Sequence, residues 1–127
     1  MQPIKKEENE QVLIIDDEAD TCYLISVILN NKNISSACAS TLAEAKAALS
    51  RNTPTLIFLD NHLPDGWGVD FIDFIKYNQP ESKILFYSAY ATPEVRNNAK
   101  IRGADLIMNK PLTKQALETA VDSIVKH

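Results

Sequence analysis

The sequence predicts an α/β fold: a doubly wound five-stranded parallel sheet with helices on both faces. Two observations carry that prediction. Short, nearly continuous apolar runs recur as QVLII (11–15), TLIFL (55–59), KILFY (83–87) and DLIM (105–108), with a weaker ISSACA (34–39) expected at the sheet edge. Strands apolar on both faces belong to a parallel sheet buried under helices. Segments of helical spacing alternate with these runs across short connections, so right-handed crossovers follow and the order is flavodoxin-like, (βα)5.

Each helix has a readable boundary. The first is expected over about 18–31, with Asp17 a candidate cap. Leu42, Ala45 and Leu49 share a face of the second, and TLAE (41–44) reads as a capping box in which Thr41 and Glu44 satisfy each other's free backbone donors. The third, about 68–77, directs Phe71, Ile72 and Ile75 to the core, with Trp67 expected to pack at its start. Asp65 and Asp70 beside it are expected to be solvated or capping carboxylates. In TPE (92–94), Thr92 is the N-cap and Pro93 the first helical residue of the fourth, which ends at Arg102-Gly103. After a Thr113 cap, Leu117, Ala120, Val121, Ile124 and Val125 keep core spacing in the fifth.

Composition bounds the function. A chain of 127 residues is one domain with room for a core: a polar tail over 1–10, then one domain over 11–127. A net charge of -4 argues against direct nucleic-acid binding. No apolar run approaches the roughly 20 residues that span a bilayer, and the first residues lack an apolar signal core. Cytoplasmic residence is expected, and Cys22 and Cys38 read as buried reduced thiols.

In a doubly wound sheet the working crevice lies beyond the carboxyl ends of the strands. The residues that follow the apolar runs are Asp16, Asp17 and Glu18, then Asp60, Ser88 and Lys110-Pro111. Each alone has an ordinary structural explanation as a cap, turn residue or surface group. Their coincidence does not, because clustered aspartates repel and one must keep its proton unless a cation is present. Mg²⁺ suits such a carboxylate set. The three glycines, Gly66, Gly68 and Gly103, form no nucleotide-cradling loop. Only His62 and His127 are histidines, and no Ser–His or Cys–His pair suggests itself. What remains is a carboxylate nucleophile beside a metal, able to form an acyl phosphate.

From Gln11 to Val125 the chain resembles the CheY-like receiver domain of bacterial two-component response regulators. The motifs are DDE (16–18), LDNHLPDGWG (59–68), YSAY (87–90), GAD (103–105) and NKPL (109–112). The resemblance implies that Asp60 accepts a phosphoryl group from a sensor histidine kinase or histidine phosphotransfer protein. It implies Mg²⁺, or alternatively Mn²⁺, held directly by Asp17, Asp60 and the His62 backbone carbonyl, and through water by Asp16. Ser88 matches the switch hydroxyl, Lys110 the lysine that pairs with the phosphoryl oxygens, and Lys110-Pro111 a cis peptide. Output, or a homodimer, is expected through the fourth helix, fifth strand and fifth helix. Any effector domain is expected after residue 127. Ile107 stands where the family commonly has an aromatic residue. His62 and Tyr90 flank the phosphoryl position, where their bulk is expected to lengthen the phosphorylated lifetime. Two alternatives remain: a Mg²⁺-dependent phosphatase with an aspartyl-phosphate intermediate, and a phosphorylation-independent interaction module. DDEAD (16–20) lacks the D-x-D pattern of haloacid-dehalogenase-type phosphatases, and the complete set Asp16, Asp17, Asp60, Ser88 and Lys110 disfavours the second.

Overall fold

The computed structural model describes residues 11–125; the polar tail expected over 1–10 lies outside the described residues. In chain order the elements are β1 (Val12–Ile15), α1 (Ala19–Asn31), β2 (Ser36–Ala39), α2 (Leu42–Arg51), β3 (Leu56–Asp60), β4 (His62–Leu63), β5 (Gly66–Trp67), α3 (Gly68–Asn78), β6 (Lys83–Ser88), α4 (Pro93–Arg102), β7 (Leu106–Asn109) and α5 (Lys114–Ile124). Five strands form one parallel sheet in the order β2-β1-β3-β6-β7, as the sequence predicts. The short β4–β5 hairpin was not expected; it is antiparallel and pairs His62 with Trp67.

Side chains alternate between the two faces because successive residues of a strand point in opposite directions. Leu13, Ile15, Ile57, Leu59, Ile84 and Phe86 pack with α2, α3 and α4. Val12, Ile14, Leu56, Phe58, Leu85 and Tyr87 pack with α1 and α5. Every residue of β1 and β3 is buried, which is why both are apolar without alternation up to Asp60 at the end of β3. Burying one such side chain is worth roughly 1.5–3 kcal/mol, so the two central strands are firmly held. Strand order reverses between β1 and β3, and the crevice at their carboxyl ends is the switch point.

The caps refine the expectations. Thr92 and Thr113 accept bonds from Val95 N and Ala116 N, as their positions require. Half of the expected box at α2 forms: Thr41 accepts from Glu44 N, but Glu44 bonds to Ser40 N and the Ser40 hydroxyl rather than to Thr41. The remaining donors, Leu42 N and Ala43 N, go to the two carboxylate oxygens of Asp65 at 2.8 and 3.0 Å. Asp17 does not cap α1; Glu18 holds that position, without a side-chain cap bond. Phe71, Ile72 and Ile75 are core residues, whereas Trp67 is about half exposed (51%) instead of packed.

The cysteines correct the sequence reading. Cys22 in the first turn of α1 and Cys38 on β2 form a disulfide, with Cα atoms 6.4 Å apart, and Cys38 is exposed. That separation lies in the range a disulfide needs. The expectation of reduced thiols came from the expected compartment, which carries no information on this distance.

The third helix is set by a close approach. A Cβ on Gly68 would collide with the Asp60 carbonyl group and Asn61 Cα. Gly68 N donates to Asn61 O at 2.7 Å, and Val69 N donates to Asn61 Oδ1 at 2.9 Å. The helix start is thereby stitched to the residue after Asp60. Gly68→Ala is expected to destabilise the fold by about 1–3 kcal/mol through overpacking, measured by urea denaturation. An unchanged midpoint would show that this approach can relax freely.

Candidate functional site

Four separate strand ends deliver the site. Asp16 follows β1, Asp60 ends β3, Ser88 ends β6 and Lys110 follows β7. Their apolar strands are fixed in register, so the polar residues at the ends are fixed too. Asp16 and Asp60 are almost fully buried (2% and 3%), while Asp17 is exposed. One carboxylate oxygen from each of Asp16, Asp17 and Asp60 lies within 4.8 Å of the others.

Lys110 is the balancing cation. Its Nζ lies 3.6 Å from an oxygen of Asp60, 3.6 Å from Asp16 Oδ2 and 2.8 Å from Glu18 Oε1. Asp16 Oδ1 accepts from Glu18 N and Oδ2 from the Tyr87 hydroxyl, both at 2.9 Å. The Asp60 carboxylate accepts from the His62 backbone N–H. Ser88 is buried, its hydroxyl accepting from Tyr90 N at 3.1 Å, and Lys110 N donates to Ser88 O at 2.9 Å.

Burial dominates the electrostatics. Asp60 is pushed up to about 6, first by burial and then by the charge of Asp16, with Lys110 opposing. Burial likewise raises Asp16 against its bonds to Glu18 N and Tyr87. Glu18 is lowered by its bond to Lys110. Burial acts to lower Lys110, but the Glu18 bond and the charges of Asp16 and Asp60 leave it raised. Tyr87 is raised well above the phenol range by burial and by Asp16, so it is a hydrogen-bond donor here. A set of hard oxygen donors with an unrelieved charge conflict fits a divalent cation.

An open cavity of about 700 Å³ lies over this cluster, bordered by Asp17, Asp60, His62, Ser88, Tyr90 and Lys110. Its volume admits a phosphoryl group and solvent. Ile107 and Pro111 do not border it. Ile107, opposite Phe86 on β7, is half-buried against the α2–α4 side of the core, and the Lys110–Pro111 peptide is cis. Sequence reasoning passed over four residues here: Glu18 as the lysine's nearest partner, Tyr87 beneath Asp16, Asn61 as the cap of α3, and Trp67, whose ring meets that of His62 edge-on at 5.3 Å. Only Glu18 left a signal, its adjacency to the two aspartates.

A (βα)5 sheet with an acidic cluster and a lysine at its switch point defines a receiver-type signalling domain. The family model for the response regulator receiver domain matches residues 12–122, and the chain belongs to that family. The nitrogen assimilation regulatory protein NtrX of Azorhizobium caulinodans is 33% identical over 118 residues, covering 85% of this chain and 26% of that protein. The chain spans about a quarter of the length of the first curated relatives it matches. The beryllofluoride-activated NtrC4 receiver domain dimer superposes with a TM-score of 0.84 at 31% identity, covering 89% of this chain and 93% of that one. A response regulator from Burkholderia pseudomallei, solved with a phosphorylated aspartic acid, calcium ion and citrate, gives a TM-score of 0.83 at 23% identity, covering 93% and 68% of the two chains. That likeness shows the fold alone.

The raised Asp60 carries a sign. Its folded value of about 6 lies above the ordinary 3.8, so the folded state binds the proton more tightly. In cation-free protein, stability is lost as pH rises from about 4 to about 6, by on the order of 2–3 kcal/mol from this group. Asp60→Asn removes the penalty, so urea denaturation in a chelator should show the variant gaining on the wild type across that window. A difference that stays flat with pH would contradict the assignment.

Proposed function

We propose that this receiver domain accepts a phosphoryl group on Asp60 and relays it as a change of surface, and does not turn over a substrate. The observation that carries the reading is the grouping of three carboxylates within 4.8 Å with Lys110 3.6 Å from Asp60. A carboxylate oxygen of Asp60 attacks phosphorus; the new O–P bond replaces the P–N bond to a phosphohistidine, whose imidazole leaves. The donor is a sensor histidine kinase or histidine phosphotransfer protein. Asp16, Asp17, Asp60 and the His62 carbonyl would hold Mg²⁺, or Mn²⁺, which when bound offsets charge on the transferring oxygens.

Lys110 has two acidic destinations. In the unmodified protein its nearest partner is Glu18, at 2.8 Å. A phosphoryl dianion on Asp60 is the stronger attractor and draws Lys110 and the Ser88 hydroxyl toward itself. Ser88 ends β6 and Lys110 follows β7, so both movements pull on the segment that joins α4, β7 and α5. That face is the output surface and a candidate homodimer surface; the beryllofluoride-activated NtrC4 receiver domain is itself a dimer. Ile107 gives the switch an aliphatic side chain where an aromatic is usual, so the movement runs through Ser88 and Lys110. The domain extends over 11–127, and its kinase, effector and cytoplasmic residence complete the proposal. Among the described residues no helix is long and apolar enough to cross a membrane.

Treatment with acetyl phosphate and Mg²⁺ should add the mass of one phosphoryl group, lost in a chelator and in Asp60→Asn, with no hydrolysis of a small phosphomonoester. An adduct that persists in Asp60→Asn would reject this acceptor. Tyr90 is 83% exposed at the cavity rim, and His62 is exposed beside it. Their bulk hinders an attacking water, so Tyr90→Ala should shorten the half-life of the adduct severalfold, measured by its decay in intact mass.

A further inference from the structure

Tyr87 is the largest fully buried side chain among the described residues, yet it ends in a hydroxyl. It lies on the α1–α5 face of β6, where its neighbours Leu85 and Phe58 are wholly apolar. Packing alone does not ask for a phenol there; phenylalanine would fill the same space without a polar atom to satisfy. The hydroxyl donates to Asp16 Oδ2 at 2.9 Å. The other oxygen of Asp16 is held by Glu18 N, also at 2.9 Å. Both ends of the buried carboxylate are thereby fixed, one by main chain and one by Tyr87.

Tyr87 also touches the rest of the cluster. Its ring meets Phe58 edge-on with centroids 6.5 Å apart, and Lys110 Nζ lies 5.6 Å from its centroid. Its Cα pairs in register with Asp60, its carbonyl accepts from Asn61 N at 3.0 Å, and Ser88 is the next residue. One side chain thus joins a carboxylate at the end of β1 to the strand end that presents Ser88.

We propose that Tyr87 is a positioning residue for a divalent cation: its hydroxyl sets the orientation of Asp16 and couples that orientation to the end of β6. The inference rests on reading Asp16, Asp17 and Asp60 as a cation site. Without the hydroxyl, Asp16 Oδ2 loses its hydrogen-bond donor, keeps the Lys110 ammonium 3.6 Å away as its attractive neighbour, and turns toward it, away from the arrangement the three carboxylates share. Outer partners of this kind orient metal ligands, and their loss costs about 10–100-fold in affinity.

The test is titration with Mg²⁺ alone, followed by calorimetry and by the fluorescence of Trp67, the single tryptophan, which borders the cavity. Tyr87→Phe keeps the ring and its volume, and should raise the Kd for Mg²⁺ about 10-fold while unfolding cooperatively in urea. Tyr87→Leu, which also lacks the hydroxyl, should show the same loss and serves if the first variant does not fold. Phe58→Leu disturbs the same ring contact without touching the hydroxyl, and should lower stability while leaving the Kd unchanged. If the wild type binds Mg²⁺, Asp17→Asn loses it and Tyr87→Phe keeps the wild-type Kd, the positioning role is overturned and the cation site stands. Equal weakening by Phe58→Leu and Tyr87→Phe overturns it as well, since packing alone then explains the effect. A wild type that binds no Mg²⁺ overturns both the site and this role.

Discussion

Two carboxylates buried side by side at the ends of β1 and β3 impose the constraint around which this molecule is arranged. Like charges whose oxygens lie within 4.8 Å of one another repel by roughly 3 kcal/mol at the effective dielectric of a protein, and burial adds a desolvation cost to each. The fold answers with fixed groups. Glu18 N and the Tyr87 hydroxyl hold Asp16, the His62 N–H holds Asp60, and Lys110 stands within 3.6 Å of both carboxylates. The arrangement remains short of neutral, as the upward shift of Asp60 records. That residual strain of charge makes the site receptive to a cation and gives the acidic oxygens their chemistry.

Rigidity and freedom are divided unequally around the cavity. The loop after Asp60 is tied at both ends: Asn61 caps α3, Asp65 caps α2 through Leu42 N and Ala43 N, and Gly68 passes too close to the Asp60 carbonyl for any side chain. The opposite rim is looser. Tyr90 donates its N–H to the Ser88 hydroxyl and accepts from Thr92 N, both local bonds, its side chain stands in solvent, and β7 is only partly buried. The anchoring is thus stronger on the α2–α3 side of Asp60 than on the side of α4, β7 and α5, the face the proposed switch uses. Directionality follows from this difference in anchoring.

Lys110 connects the two regimes. Its three acidic neighbours present different geometries, with the exposed Glu18 nearest and the buried pair farther away. A lysine shared in this way has no single deep minimum, so a modest redistribution of negative charge is enough to move it. Its backbone N–H is bonded to Ser88 O, so the main chain that carries the ammonium is tied to the end of β6.

The sequence by itself determined the sheet, its five strand–helix units and the rim on which the polar residues collect. Unbroken apolar runs can be buried only between two helical layers, and chain connectivity then dictates which strand ends meet. Asp16, Asp17, Asp60, Ser88 and Lys110 were legible for that reason, each lying within two residues of the end of a run. What the tertiary structure alone decided are the pairings between residues far apart in the chain. Tyr87 under Asp16, Glu18 on Lys110, Asp65 on the start of α2, the Cys22–Cys38 disulfide and the exposure of Trp67 depend on helix placement to within an ångström or two. Periodicity fixes which face a residue occupies, but a hydrogen bond or disulfide needs a distance, and distances are set only when the layers pack.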